Sequence, residues 1–264
     1  MKQYGLLGYP LSHSFSHGYF AEKFKKEGID AQYENYAIAS IDKLPQLIAE
    51  NTQLVGLNVT IPYKESVISY IDMLDPEAEA IGAVNTIRIE RDGNHKPRLT
   101  GYNTDLPGFR ESILPLVEKL RNSSRIRFLE KTYEGFALKA LILGTGGASK
   151  AVEYGLKQMG IETLYVSRSP KGGRVTYENL SHSYYDEYHI IVNTTPLGMY
   201  PNVQTCPPID YKCIGPNHLL FDAVYNPEKT LFLQKGEKQG AIIKNGLEML
   251  HLQAEASWKI WTAE

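Results

Sequence analysis

Two neighbouring segments carry the residues most suited to chemistry. The apolar run Leu141-Ile142-Leu143 leads into Gly144, Thr145, Gly146, Gly147 and Ala148, and a second run, Leu164-Tyr165-Val166, ends in Ser167, Arg168 and Ser169. A strand feeding a glycine-rich turn and then a helix lets the backbone approach a pyrophosphate, and the helix start adds N–H donors and a positive dipole end. Where the ligand is NAD, an acid about 20 residues downstream bonds the ribose 2′-hydroxyl. Here the second strand ends without an acid: Arg168 stands between two hydroxyls, with Lys171 and Arg174 just beyond. That set suits a 2′-phosphate, hence NADP(H) as cofactor. Ser149 falls where the third small residue of the usual pattern stands, so close helix–strand packing is expected at Ala151 instead. A bare strand-to-helix turn, with Arg168 as a solvated charge, is the alternative. So is a methyltransferase, because such turns bind other nucleotides.

Four earlier stretches hold grouped polar residues. In His13-Ser14-Phe15-Ser16, an extended backbone points Ser14 and Ser16 the same way, giving two hydroxyl donors suited to a carboxylate. Alternatively Ser16 caps a helix starting at His17. In Asn58-Val59-Thr60-Ile61-Pro62-Tyr63-Lys64, Asn58 and Thr60 share a strand face and Pro62 throws Lys64 to the rim. A lone lysine is otherwise a surface charge, and Lys64 matters only if it faces a ligand and an acid. Asn85, in Ala83-Val84-Asn85-Thr86, can donate and accept at a hydroxyl or simply form a turn. Asp105, closing Gly101-Tyr102-Asn103-Thr104-Asp105, is either functional or the cap of the helix from Leu106.

The elements that must position these groups alternate. Strands are expected at 3–8, 31–38, 54–61, 84–89 and 98–102, with helices at 16–26, 41–51, 66–70 and 76–81. Arg91-Asp92-Gly93-Asn94 is a hairpin turn signal. After a helix at 106–120, residues 121–135 read as an irregular polar loop. Strand 141–143, helix 149–159 and strands 163–167, 189–193 and 219–222 follow, then helix 231–240 and strand 241–243. This alternation implies an α/β fold with a parallel, doubly wound sheet, whose ligands sit beyond the strands' carboxyl ends. Gly144, Ser167, Thr194 and Tyr225 all follow strand ends and are expected to converge. Tyr184, Tyr185 and Tyr188 read as surface residues. A final amphipathic helix, 247–261, shows an apolar stripe of Leu247, Leu250, Ala254, Trp258 and Trp261, with Met249 and Gln253 on another face and Gly246 at the turn before it.

Composition narrows the partners. The chain has 264 residues, 42% hydrophobic and 22% charged, as in ordinary soluble domains. A net charge of −2 gives no basic field for nucleic acid. The N-terminal residues lack the apolar core of a signal peptide, and no apolar run is long enough to span a bilayer. Two cysteines, Cys206 and Cys213, have neither metal-ligand spacing nor company for a disulfide framework, which fits a reducing cytoplasm.

Taken together, the ordered motifs resemble the shikimate dehydrogenase family. They are Gly-x-Pro-x-x-His-Ser-x-Ser, Asn-Val-Thr-x-Pro-x-Lys, Ala-Val-Asn-Thr, Gly-x-Asn-Thr-Asp, Gly-x-Gly-Gly-Ala, Asn-Thr-Thr-Pro-Leu-Gly-Met, and Gly246-Leu247-Glu248-Met249-Leu250 with Gln253. The resemblance covers nearly the whole chain. It implies a substrate-binding domain, 1–105 plus 247–264, and a Rossmann-type NADP-binding domain, 106–246, with the C-terminal helix returning to the first. It also implies reversible NADPH-dependent reduction of 3-dehydroshikimate to shikimate, without a metal. Residue by residue, Ser14 and Ser16 would hold the substrate carboxylate, and Thr60, Asn85, Tyr225 and Gln253 the ring hydroxyls. Lys64 and Asp105 would be the catalytic pair, either of which can be the proton carrier. Gly144 to Ala148 would cradle the pyrophosphate, Ser167, Arg168 and Ser169 would meet the 2′-phosphate, and Ala223 and Gly246 would lie near the nicotinamide. The chain departs from the family at His17, where a proline usually stands, and at Leu106, where a glycine does; residues 121–135 have no assigned counterpart. A dual-cofactor quinate/shikimate dehydrogenase and a non-catalytic shikimate-binding homologue are the nearest alternatives. Oligomeric state is not legible.

Overall fold

The computed structural model describes residues 1–11 and 15–263. Its contacts divide the chain into two units: Met1–Thr104 with Ala254–Glu264, and Asp105–Gln253.

The first unit runs β1 (Lys2–Gly8), α1 (Phe15–Glu27), β2 (Ala31–Ala37), α2 (Leu44–Glu50), β3 (Leu54–Val59), β4 (Met73–Leu74), α3 (Pro76–Ile81), β5 (Thr86–Arg91) and β6 (Pro97–Tyr102). Its sheet has the order β2-β1-β3-β5-β6-β4. β1 pairs in parallel with β2 and β3, whereas β5 is antiparallel to both β3 and β6. The central strand β3 carries a near-continuous apolar run and is buried along most of its length, as a strand covered on both faces should be. The ladder outlasts the assigned strand: Thr60 N–H donates to Leu7 O at 2.9 Å and Tyr9 N–H to Ile61 O at 3.1 Å. Gly8 lacks the Cβ that would stand 2.5 Å from the Thr60 methyl, so the end of β1 leaves room for that side chain.

The hairpin between β5 and β6 forms, but not as the tight turn its Asp-Gly pair suggests. Its loop spans residues 92–96, and the left-handed residue is His95, at φ 61°. The Asp92 carboxylate accepts from Asn94 N and Lys96 N, both at 2.9 Å, so a side chain closes the wider loop.

The second unit runs α4 (Asp105–Arg121), α5 (Ser124–Thr132), β7 (Lys139–Leu143), α6 (Gly147–Gln158), β8 (Glu162–Ser167), β9 (Val175–Thr176), α7 (His182–Glu187), β10 (Ile190–Asn193), β11 (Leu219–Asp222), α8 (Leu231–Lys238) and β12 (Ile242–Lys244). The helix α9 (Leu247–Thr262) begins here and ends in the first unit. The sheet order is β12-β11-β10-β7-β8-β9 and every pair is parallel. Counted from β7, this is the 3-2-1-4-5-6 order of dinucleotide-binding folds, with its switch point between β7 and β10.

Several expectations are corrected. Residues 121–135 are not an irregular loop: Ser123 caps α5 through Ile126 N, and the fully buried Ile126 with the partly buried Leu129, three residues on, seats the helix on the core. Tyr185 is buried, not surface filler, and its phenol oxygen accepts from Asp210 N at 3.0 Å. The helix after the glycine-rich turn starts at Gly147, two residues earlier than expected. On α9, Leu247 is 38% exposed, and the buried face is Met249, Gln253, Ala254, Ser257 and Trp261. A stripe chosen by hydrophobicity alone misplaced this face because two of its members are polar.

The far end of α9 locks onto the first sheet. The Trp261 indole N–H donates to Ile87 O at 3.0 Å, and Gly56 in β3 has no Cβ because that atom would fall 2.5 Å from the indole nitrogen. Tyr4, Phe20 and Tyr33 surround the same ring. Trp261→Ala is therefore expected to cost about 3–5 kcal/mol in urea unfolding. Leu247→Ala, at the other end of the supposed stripe, should stay within about 0.5 kcal/mol of the parent. Equal losses in the two variants would contradict this assignment of the buried face.

Candidate active site

In the first unit the polar residues gather at the carboxyl ends of β3 and β6 and at the start of β5. Asn58 is buried at the end of β3. Its Oδ1 accepts from the Tyr33 phenol at 2.8 Å, and its Nδ2 donates to Ser257 Oγ at 2.9 Å. Thr60, two residues on, is half-buried. Asn85 is 2% exposed, and its Oδ1 accepts from Thr104 N at 2.6 Å, Thr104 Oγ1 at 3.1 Å and Thr86 Oγ1 at 3.2 Å. These donors fix which end of the carboxamide is oxygen. The carboxamide oxygen of Asn85 is thus turned toward Thr104 and Thr86. Asn103 is tied by its Nδ2 to Ala83 O at 2.8 Å.

Lys64 is half-buried and follows the chain's exit from β3. Its carbonyl accepts from Val84 N at 2.7 Å, which draws Lys64 to the segment carrying Asn85. Asp105 is 6% exposed and opens α4 as its first residue, inside the helix rather than in the flanking cap position. Pro107 sits within that first turn, where its missing N–H costs nothing. Ser16 lies inside the first turn of α1, which begins at Phe15, so it does not cap a helix from His17. It is buried and hydrogen-bonded to the Tyr33 phenol. Ser14 lies outside the described residues. Gln253 is buried on α9, with Nε2 donating to Leu250 O at 3.0 Å.

In the second unit, Gly144 adopts φ +102° as β7 ends, and a Cβ there would stand 2.9 Å from both the Thr194 hydroxyl and the Thr195 methyl. The turn is tied to both neighbouring strands: Gly144 N–H donates to Val166 O at 3.0 Å, and Thr194 N and Oγ1 donate to Leu143 O at 2.9 and 2.7 Å. Gly144 and Thr194 thus meet at the switch point, while Ser167 follows Val166 on the other side of β7. Gly146 stands at the N-cap of α6 with no side-chain cap, and nothing lies within 4 Å of where its Cβ would be. Thr145, Gly147 and Ala148 are half-buried around it. An uncapped helix start beside open space is what a pyrophosphate needs. Ser149 hydrogen-bonds back to Gly146 O at 2.6 Å. Ala151 is fully buried, and the close approach of α4 is made at Gly155, where a Cβ would meet Leu106 and Phe109 at 3.2 Å.

After β8, Ser167 Oγ bridges Ser169, accepting from its N–H at 3.2 Å and donating to its carbonyl at 2.5 Å. This loop leaves Arg168 exposed. Arg174 is drawn over the Tyr165 ring at 6.0 Å, so of the three basic residues it is the one already packed.

Sequence reasoning missed the group behind Ala223 and Tyr225. Asp222 is fully buried at the end of β11. It accepts from Asn193 Nδ2 at 2.9 Å, Val224 N at 3.0 Å and Thr230 Oγ1 at 2.5 Å. Asn193 Oδ1 in turn accepts from Thr195 N and Oγ1. One carboxylate therefore fixes the loops leaving β10 and β11. Its signal was legible as an acid ending an apolar strand, Leu219-Leu220-Phe221-Asp222. Ala223 and Gly246 lie beside each other: a Cβ on Gly246 would be 2.3 Å from Ala223 O, and Gly246 N–H donates to Val224 O at 3.2 Å. Tyr225 is half-buried, and burial raises its phenol above the usual range.

Two parallel-dominated sheets, one with the strand order of nucleotide binders and an uncapped glycine-rich helix start, define a two-unit α/β protein of Rossmann type. A family model described as the shikimate dehydrogenase substrate binding domain matches residues 6–87. An NADP(+)-type shikimate dehydrogenase of Clostridium beijerinckii is 38% identical, covering 99% of this chain and 92% of that one. Among solved structures, shikimate dehydrogenase from Aquifex aeolicus superposes with TM-score 0.82 at 29% identity, covering 100% of this chain and 93% of its own. The Thermus thermophilus enzyme, described in complex with NADP(H) and shikimate, gives 0.79 at 29% identity, covering 100% and 94%. The chain belongs to the shikimate dehydrogenase family.

Burial pushes the Asp222 carboxyl up to about 6, against the pull of its three hydrogen bonds. A folded value above the unfolded one means that the native state holds this proton longer. The stability it contributes is fully present below the unfolded value of 3.8 and is lost as pH rises through about 6. Asp222→Asn keeps the shape and removes the titration. Relative to the parent, its unfolding free energy should rise by about 3 kcal/mol at most between pH 4 and 7. A pH-independent difference between the two proteins would refute the burial argument.

Proposed function

We propose that this chain catalyses the reversible, NADP-linked reduction of 3-dehydroshikimate to shikimate. One observation carries the reading: the backbone bond from Val84 N to Lys64 O ties the Lys64 backbone to the segment carrying the oriented Asn85, on a unit joined to a Rossmann-type sheet. The full-length likeness to enzymes named for this reaction supports it.

The residues fit NADP(H): Gly144 makes the tight turn against Thr194, Gly146 leaves open space at the helix start, and Ser167, Arg168 and Ser169 end the second strand without an acid. When bound, the nicotinamide cofactor supplies or accepts the hydride. The chain's own groups do the rest. Lys64, as an ammonium, stabilises negative charge on the reacting oxygen and with Asp105 moves its proton. Asp105, on the rigid start of α4, orients that pair. Asn85 donates to a ring oxygen, while Thr60, Tyr225 and Gln253 complete the hydroxyl contacts, and Ser16 with Ser14 holds the carboxylate. Ala223 and Gly246 flank the nicotinamide. In this reading, residues 1–105 plus 247–264 serve the substrate and 106–246 the cofactor. A cytoplasmic setting belongs to the same reading, supported by two free cysteines; no described helix is long and apolar enough to cross a membrane.

Purified protein should oxidise NADPH in the presence of 3-dehydroshikimate. Lys64→Ala is expected to lower kcat about 10²–10⁴-fold with a smaller change in KM; an unchanged kcat rules the lysine out. Arg168→Ala should weaken NADPH about 10–100-fold, the worth of one charged phosphate contact, and NADH far less. Equal losses for both cofactors would mean that Arg168 does not read the 2′-phosphate and would favour the dual-cofactor alternative.

A further inference from the structure

Three hydroxyls from distant parts of the chain meet in the first unit. Thr86 opens β5, Thr104 follows β6, and Ser257 lies on α9. They are 0%, 1% and 0% exposed. Thr86 and Ser257 are 2.8 Å apart, Thr86 and Thr104 3.0 Å, and Thr104 and Ser257 3.0 Å. With one proton each, the three hydroxyls can donate only three of the five contacts they make with one another and with Asn85 Oδ1, so the Thr104 backbone N–H is the one donor always committed to that oxygen. Asn58 Nδ2 adds a donor to Ser257 at 2.9 Å, and Asn85 Oδ1 adds an acceptor for the two threonines.

Thr104 orients Asn85. Its backbone N–H and its hydroxyl both reach Asn85 Oδ1. A half-turn of the Asn85 carboxamide would set amide hydrogens against those two donors, so the group is locked with its nitrogen away from the ring. The backbone that carries this lock continues directly into Asp105. Ser257 holds the ring from the side of α9, one helical turn after Gln253. Four chain segments that each carry or adjoin a proposed substrate contact are therefore joined through oxygens that lie too deep to bind substrate themselves.

We propose that Thr86, Thr104 and Ser257 are positioning residues for substrate binding, acting through the Asn85 amide and the chain entering Asp105. The inference rests on the dehydrogenase reading above. Charge plays no part in it: the ring is neutral, and its effect is geometric. Small displacements at such contacts are costly, since about 1 Å of misplacement can lower turnover about 100-fold.

The test compares Thr104→Val, which keeps shape and removes the hydroxyl, with Thr104→Ser, which keeps the hydroxyl, and with Ser257→Ala. Steady-state kinetics are run with shikimate and NADP+. Thr104→Val and Ser257→Ala should lower kcat/KM for shikimate about 10–100-fold, partly through a raised shikimate KM, while KM for NADP+ stays put. Thr104→Ser should recover most of the loss. A merely structural defect would lower the active fraction and leave both KM values unchanged. Should Thr104→Val not fold, Ser257→Ala, which deletes one oxygen, gives the same readout. An active parent enzyme with unchanged shikimate KM in the valine and alanine variants overturns the inference, as does equal loss in the valine and serine variants. Absence of any shikimate-dependent NADP+ reduction by the parent protein overturns the dehydrogenase reading and this inference with it.

Discussion

A polar group taken out of water must find a partner, and this requirement organises both units at the same place, the carboxyl ends of their strands. Parallel strands finish in a row of side chains that the covering helices have already dried. In the first unit, Asn58, Thr86, Thr104 and Ser257 satisfy one another there. In the second, Asp222 does so with Asn193, Val224 and Thr230. A half-satisfied network at such a depth is worse than an apolar one, so its members are directional or they fail. The one buried side-chain atom without a partner among the described residues is His189 Nδ1, just before β10 and therefore at the other end of the sheet. Burial holds that imidazole down to about 4, so it is neutral at ordinary pH.

Close approach is the second constraint, and absent side chains provide it. Gly8 makes room for Thr60, Gly56 for Trp261, Gly144 for Thr194 and Gly246 for Ala223. In each case a Cβ would come within 3 Å of its neighbour. Two of these contacts build the scaffold and two shape the loops around the proposed cofactor. At Gly144 the backbone reason coincides with the packing reason, because φ +102° is unfavourable for any residue with a Cβ.

The sequence was most legible where periodicity and chemistry agreed. The runs ending at Leu143, Val166, Asn193 and Asp222 announced parallel strands, and Gly144 to Gly147 announced the turn into α6. It was least legible where burial was achieved against composition. In Ser124–Thr132 only Ile126 and Leu129, three apart, mark the face that packs on the core. On α9, Gln253 and Ser257 are buried because polar partners await them, so the visible apolar stripe pointed partly to the wrong face. Tyr33 could not be read at all: its role follows from spatial neighbours, Asn58 and Ser16, that lie 25 and 17 positions away in the chain. Asn85 was legible as polar, but the orientation of its carboxamide was not, because that is set by contacts from Thr104 and Thr86.

A fixed carboxamide discriminates among ligands better than a mobile one. An amide free to turn can serve a donor or an acceptor and therefore selects weakly. The Thr104 backbone N–H holds the oxygen end of Asn85, so the carboxamide keeps one orientation; in the proposed role, a substrate hydroxyl is met by a group that cannot turn to suit another ligand. Sites built this way reject the missing hydroxyl far more strongly than apolar sites reject a missing methylene. Selectivity for a polyhydroxylated ring thus requires rigidity behind the contact as much as the contact itself. The buried oxygens supply that rigidity, which is why polar atoms occupy a core position where leucine or valine would pack as well.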